Sequence, residues 1–398
     1  MGSPVLHTDI AIIGGGIAGL WALNQLRNRG YGAILFEQEA LGSHQTIGSQ
    51  GMIHGGIKYA LSGAETPASE TIAAMPAAWR ACLAGRGPVD LRACRVLSQD
   101  FYLWSRGSLT SRLGSLLASR ALRGAVERLA RVDYPAPLDA AAFKGDVYRL
   151  DDLVLDVPSL VRALAEPHRQ AIFRVDWDES ALVVERGLIR IELPACTLQP
   201  ERLLFAAGAG NEALLARLGV DAPAMQRRPL QQVLVTRNGL PEFFGHCLGR
   251  GTTPRLTISS HRTASGYPLW YLGGELAEAG AQWEPEQLID HARSELSDLL
   301  PWMDLGGARW RSMKLDRAEP RQAGLRRPQG AFVDSAPGLE NVLVAWPSKL
   351  TLSPALGDAV ERRLRQDRVE PRHQPRLDEL QHLQKPGIAT SYWEHLFP

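Results

Sequence analysis

Spaced glycines behind a short apolar run constrain this chain more than any other feature. Residues 9–13, Asp9 to Ile13, read as a short buried strand, apolar enough to be covered on both faces. Gly14, Gly15, Gly16 and Gly19 follow at once. Leu20, Leu23 and Leu26 then recur at helical spacing as far as Gly30, the expected stop. Ala33 to Phe36 is a second apolar strand and ends at Glu37. Strand, glycine turn, helix and strand in this order make the first unit of a doubly wound α/β sheet that binds a dinucleotide. Gly14 permits the tight turn, Gly16 the approach of backbone N–H groups to a pyrophosphate, and Gly19 the close packing of helix on strand. The helix N-terminus adds free N–H groups and partial positive charge. Gly14, Gly16, Ile17, Ala18 and Gly19 are therefore expected to hold the pyrophosphate, and Glu37 with Gln38 the ribose. A carboxylate at Glu37 disfavours a 2′-phosphate, and so NADP.

Composition bounds the partners. The 398 residues carry 44 Lys+Arg against 43 Asp+Glu, a net charge of +1, with 45% hydrophobic and 22% charged residues. That balance excludes a disordered chain and argues against bulk nucleic-acid binding. Cys82, Cys94, Cys196 and Cys247 are scattered without a C-x-x-C pair, so no metal site and no redox dithiol are expected. There is no signal-peptide pattern and no run long enough to span a membrane, which makes the cytoplasm the expected compartment. Arginines within 111–131 leave a peripheral contact with the inner membrane face, or with a partner subunit, as the alternative to a solvated helix.

Of the 38 glycines, twelve lie between Gly14 and Gly63. The second cluster, Gly48 to Tyr59, directly follows the ribose-binding strand, and such a loop of small and polar residues can run beneath a flavin. Further along, Asp156-Val157-Pro158 opens a helix through Leu160, Val161 and Leu164. Residues 181–193 alternate as a hairpin turning at Arg186-Gly187. Strands are expected at Arg202–Phe205, Gln232–Thr236, Arg255–Ser259, Leu269–Leu272 and 342–346, and helices at Gln287–Leu300 and Pro354–Leu364. The tail beyond Pro371 is polar but carries Tyr392, Trp393, Leu396 and Phe397, which suits a docked extension.

These segments, in order, resemble the D-amino-acid oxidase-like superfamily of FAD-dependent oxidoreductases. Gln45 through Tyr59 is similar to the flavin loop of L-2-hydroxyglutarate oxidases and dehydrogenases, and Ile53-His54-Gly55-Gly56 to that of FAD-linked glycerol-3-phosphate dehydrogenases. Asp156-Val157-Pro158, Leu203 to Ala209, Gly324-Leu325-Arg326 and Leu350 to Pro354 resemble further segments of the superfamily. The resemblance implies a Rossmann-like FAD-binding domain, discontinuous over 1–75, 146–220 and 325–370. It implies an α+β substrate domain with a mostly antiparallel sheet over 76–145 and 221–324, followed by the extension 371–398. It also implies FAD contacts from Gln45, Thr46, Ser49, Gln50, Gly51 and Met52, from Val175, Ala207 and Gly208, and from Leu350, Thr351 and Leu352. The expected reaction is hydride transfer from Cα of a small acidic substrate to FAD, with a 2-hydroxy acid favoured by the histidine-containing loop. The alternatives are an amino-acid or amine oxidase or dehydrogenase, possibly a subunit of a larger complex, and a glycerol-3-phosphate dehydrogenase-like enzyme. Oxygen, a quinone or a partner protein would take the electrons. A flavoprotein subunit without its own turnover is the rival suggested by the aromatic tail.

This chemistry needs a cation for the substrate carboxylate and, for an alcohol, a base. Arg326 is the first cation expected from the resemblance, then Lys349, with Lys58 in the flavin loop for a second acidic group or for oxygen. His54 is the expected base, since an imidazole titrates near neutrality. His261, Tyr271 and Tyr59 are weaker candidates. Superfamily members commonly place Gly-His ahead of an aromatic and an arginine; here Val344 to Lys349 lacks that arginine, which leaves the substrate open.

Overall fold

In the computed structural model, which describes residues 4–56, 67–107, 126–249, 251 and 253–398, the first apolar run extends over Val5–Ile13. It pairs in parallel with Thr197–Phe205 on one side and Ala33–Glu37 on the other. Val342–Trp346 and Ile172–Arg174 extend this parallel core outward. The antiparallel strand Phe332–Ser335 and the hairpin Ala181–Glu185/Leu188–Glu192 complete the sheet. Arg186 and Gly187 both have positive φ, the geometry of a two-residue hairpin turn.

Alternate residues of the first strand serve opposite cores, which explains its unbroken apolarity. Ile10 and Ile12 meet the helices Ile17–Asn28, Val157–Ala165 and Ser353–Gln366 through Trp21, Leu160 and Leu356. Ala11 and Ile13 meet Phe36, Phe173 and Phe205 on the other face. A twelve-residue helix is marginal alone. Ile17–Asn28 is held by its buried side chains, worth about 1.5–3 kcal/mol each when large and apolar. Asp156 caps the Val157–Ala165 helix through the Ser159 N–H at 3.1 Å.

The second sheet runs in the order Arg309–Pro320, Met225–Thr236, Pro268–Gly273, Leu256–Arg262, Gly245–Cys247, Phe101–Trp104, Val147–Leu150 and Val126–Arg128. All neighbours are antiparallel except Gly245–Cys247 with Phe101–Trp104. The helix Pro285–Leu299 packs Leu288 and Leu296 against Trp270 and Val233 behind it. A small third sheet of Met52–Ile53, Leu153–Leu155 and Val96–Ser98 lies between the two.

Several expectations change. The strand Arg309–Pro320 is absent from the sequence reading, because charged residues recur along it and obscure its period. Of the segment 111–131, residues 111–125 lie outside the described ones, and Val126–Arg128 is a strand rather than helix. Val147–Leu150, given by sequence to the FAD unit, pairs in the antiparallel sheet. Trp79 and Cys82, given to the substrate domain, sit in the helix-covered core of the parallel sheet. The four cysteines are buried free thiols, and burial pushes Cys94 up to about 11 and Cys247 up to about 12. Among the described residues no helix is long and apolar enough to cross a membrane.

The tail spans both sheets. Buried Asp9, the one charge in the first strand, accepts N–H groups from Gly32 at 2.8 Å and His373 at 2.8 Å. Ile388 bridges to Leu41. The short helix Tyr392–Leu396 then reaches the antiparallel sheet, where Trp393 and Phe397 pack on Leu234, Leu269, Tyr271 and Met313.

Candidate active site

A cleft of about 740 Å³ opens between the sheets, at the carboxyl ends of the parallel strands. Its floor is backbone. Gly14 has φ +112°, and a Cβ there would lie 2.5 Å from the Ala207 Cα. A Cβ on Gly19 would lie 1.9 Å from the Gly14 carbonyl oxygen, so the helix could not seat against the strand. Gly16 caps the helix without a side-chain hydrogen bond, which leaves the N-terminal turn to an outside acceptor. Gly14, Gly16 and Ala18 line the cleft; Gly19 packs beneath it. Ile17 also lines it, but its N–H donates to Thr46 Oγ1 at 3.0 Å. Glu37 is fixed by the Gly15 N–H at 2.6 Å and the Glu39 N–H at 2.8 Å. Burial pushes its carboxyl up from the ordinary value. Gln38 lies beside it at the cleft.

The flavin-loop candidates Gln45, Thr46, Ser49, Gln50, Met52 and His54 all reach the cleft. Gln45 Oε1 accepts the Ala318 N–H at 3.0 Å, and Gln50 Nε2 donates to the Tyr271 carbonyl at 2.7 Å, tying the loop to the antiparallel sheet. Ala207, Gly208, Lys349, Leu350 and Thr351 line the cleft too, and Thr351 Oγ1 accepts the His54 N–H at 3.3 Å.

Five expected residues fall elsewhere, and one lies outside the described residues. Gly51, with φ +74°, lies against the Leu155 backbone and shapes the loop from behind. Val175 is buried beneath the cleft, its N–H donating to the Glu37 carbonyl at 3.0 Å, and Trp177 lines the cleft instead. Leu352 is core, with its N–H bonded to the Lys349 carbonyl at 3.0 Å. The buried Tyr271 hydroxyl lies 2.8 Å from the Gly48 carbonyl and 2.7 Å from Gln232 Oε1, which makes it a positioning group. Lys58, like Tyr59, lies outside the described residues. Arg326 is exposed, and Arg327 lines the cleft in its place. The reason is local: Arg326 has the dihedrals of a polyproline-like backbone, on which successive side chains point in different directions.

Sequence reading also missed the cations on the antiparallel wall. Arg228 and Arg317 are cross-strand partners. Arg228 grips Glu319 with two hydrogen bonds of 2.6 and 2.8 Å. Arg327 pairs with Glu278 at 2.5 Å. Burial, and the like charges of Arg327 and Arg228, push the Arg317 guanidinium down to about 10. His54 is pushed down to about 3, first by burial and then by Lys349, His246 and Arg327. It is therefore neutral at physiological pH. Beside it, the buried Asp152 carboxyl accepts the Gly55 N–H at 2.7 Å and is raised by burial to about 7. His261 hydrogen-bonds Ser259 at 3.0 Å and stacks on Trp393, away from the cleft lining.

The FAD dependent oxidoreductase family profile matches residues 9–363, nearly the whole of both sheets. The chain belongs to that family. It is 46% identical over 393 residues to a protein of Pseudomonas aeruginosa named as a probable FAD-dependent oxidoreductase, covering 98% of this chain and 99% of that one. The crystal structure of an FAD-dependent oxidoreductase from P. aeruginosa superposes with a TM-score of 0.86 at 40% identity over 100% of both chains. Glycine oxidase from Geobacillus kaustophilus shares the fold, with a TM-score of 0.62 at 18% identity, covering 91% of this chain and 95% of that one. The cofactor is FAD, and the cleft suits it: the helix N-terminus, whose N-cap glycine makes no side-chain bond, fits a pyrophosphate, pinned Glu37 fits ribose hydroxyls, and the cleft has space for a flavin.

Proposed function

We propose that this FAD-dependent oxidoreductase oxidises a small amine that carries a carboxylate, an amino acid or N-substituted amino acid, at the carbon beside nitrogen. FAD supplies acceptance of a hydride equivalent and its onward delivery as electrons to oxygen, a quinone or a partner protein. Arg327 and Lys349 hold the carboxylate, the first by its planar fork and the second as a point charge. Their charge also disfavours an ammonium in the cleft, so the substrate reacts as the neutral amine. The nitrogen lone pair then assists loss of hydride from Cα, which leaves an iminium cation that water hydrolyses. The observation that carries this reading is the company of His54, which lines the cleft together with the cations Lys349 and Arg327 and with no carboxylate bonded to its ring among the described residues. A base for alcohol oxidation works best with a pKa near the operating pH. His54 sits near 3 among cations, and Asp152 is turned to Gly55 outside the cleft lining. That arrangement supports an amine over the 2-hydroxy acid favoured by the loop resemblance. Amino acids are also what the glycine oxidase named above acts on.

The test is anaerobic bleaching of the bound flavin by matched amino and 2-hydroxy acids of equal carbon skeleton. Bleaching by the amino member alone supports the reading. Bleaching by the hydroxy member alone rejects it, and restores His54 as a base.

A further inference from the structure

Charges on the antiparallel wall do not balance. Three guanidinium groups, Arg228, Arg317 and Arg327, face two carboxylates, Glu278 and Glu319. Glu319 is engaged at both oxygens by Arg228. Glu278 Oε1 lies 2.5 Å from Arg327 and 3.7 Å from Arg317, so one oxygen serves two cations and favours the nearer. Arg317 keeps only this longer, shared ion pair, although its side chain is only 17% exposed. Its buried Nε has no hydrogen-bond partner among the described residues. Leaving a buried charge uncompensated is strongly destabilising, and this one lines the cleft.

Arg317 adjoins the carboxylate clamp at Arg327, with which it shares Glu278. It stands on the strand Arg309–Pro320, whereas Lys349 lies on the turn before Leu350, and both line the cleft. Arg327 thus stands between two cationic loci, one at His54 and Lys349 and one at Arg317 on the sheet wall.

We infer that Arg317 holds a second acidic group of the substrate, so that the cleft is built for an amine bearing two carboxylates. This rests on the reading that a carboxylate-bearing amine occupies the cleft. One carboxylate meets Arg327 and Lys349 beside His54. The other meets the cleft-facing part of the Arg317 guanidinium and offsets the excess positive charge. Arg317 is a specificity residue here: it touches substrate away from the carbon that is oxidised.

Binding of inert acids to the FAD-loaded enzyme, followed by perturbation of the flavin spectrum and by calorimetry, tests this without turnover. The probes are succinate and glutarate against propionate and butyrate. The wild type should bind the diacids more tightly. Arg317→Gln should weaken the diacids about 10- to 100-fold, as expected for loss of a charged hydrogen-bond partner, and the monoacids by less than about threefold. Arg317→Lys should keep part of the preference. Equal weakening of both series would make Arg317 part of a single clamp and overturn the proposal, as would no weakening, or a wild type without preference. If both variants shed FAD, Arg317 is a cofactor or packing residue and the proposal fails. An enzyme that prefers the diacids but whose flavin no amino acid bleaches would sink the amine reading and leave this assignment standing.

Discussion

The two walls of the cleft are built from different materials. The parallel-sheet wall is mostly main chain: Gly14, Gly16 and Gly19 bring amides and a helix terminus to the surface, and Glu37 is pinned by two backbone N–H groups. The antiparallel wall is mostly side chain: Arg228, Arg317 and Arg327 are set among Glu278 and Glu319. Backbone offers a fixed array for a fixed cofactor, and failure there is steric. Side chains on strands offer charges that can be exchanged without moving the strand, and failure there is electrostatic. One wall is therefore suited to hold a common cofactor and the other to choose a substrate.

Substitutions can break this contrast. The largest effect is expected from Gly19→Val, which drives carbon into the Gly14 carbonyl. It should cost about 3 kcal/mol or more and abolish FAD retention, read from the flavin content of purified protein. Next, Arg327→Gln should retain FAD yet lower kcat/KM by about 100-fold, whereas Arg326→Gln, on the exposed side of the chain, should change it less than about twofold. Equal effects of these neighbours would contradict the assignment of sides.

Acid should act mainly through four buried or half-buried histidines. His54 and His246 are pushed down to about 3 and His168 and His261 to about 4, chiefly by burial. Their unfolded forms titrate near 6.5. Between those values the unfolded chain binds the protons, so stability is full above about pH 6.5 and falls as the pH drops toward 4. Asp152, raised to about 7, acts oppositely: the folded chain holds its proton, and that stability is lost as pH rises from about 4 to 7. The four histidines outweigh Asp152 and Glu37, whose carboxyl is also raised by burial, so denaturant midpoints should fall on acidification, and His246→Asn should flatten the slope. A midpoint that rises toward pH 4 would contradict the burial of these rings. The smallest effect is expected at Tyr271→Phe, which removes the hydroxyl near Gly48 and Gln232. It should lower stability by about 1 kcal/mol in denaturant titrations, with the FAD content unchanged.

The same contrast decides what could be read from sequence. A backbone-built site dictates residue type at fixed local spacing, so the glycines, Glu37 and the hairpin at Arg186-Gly187 are legible one after another. The 342–346 strand is legible as an apolar run because both faces are covered. Arg309–Pro320 is not, since exposed Arg309 and Arg311 and the cleft-lining Lys314, Asp316, Arg317 and Glu319 put charge on both of its faces, and its alternation does not separate inside from outside. Arg326 and Arg327 differ by one residue, and only the placement of the extended chain decides which enters the cleft. Arg317 and Arg228 meet through a pairing of strands about ninety residues apart, which no local pattern carries.

The central claim is that the cleft takes a neutral amine without help from a side-chain base. The most direct measurement is anaerobic flavin reduction by an amino acid that bleaches the enzyme, followed by stopped flow from neutral to alkaline pH, in the wild type and in His54→Gln. The account predicts a rising limb that follows deprotonation of the substrate ammonium, with the same midpoint in both proteins. A limb that disappears or moves in His54→Gln would contradict it.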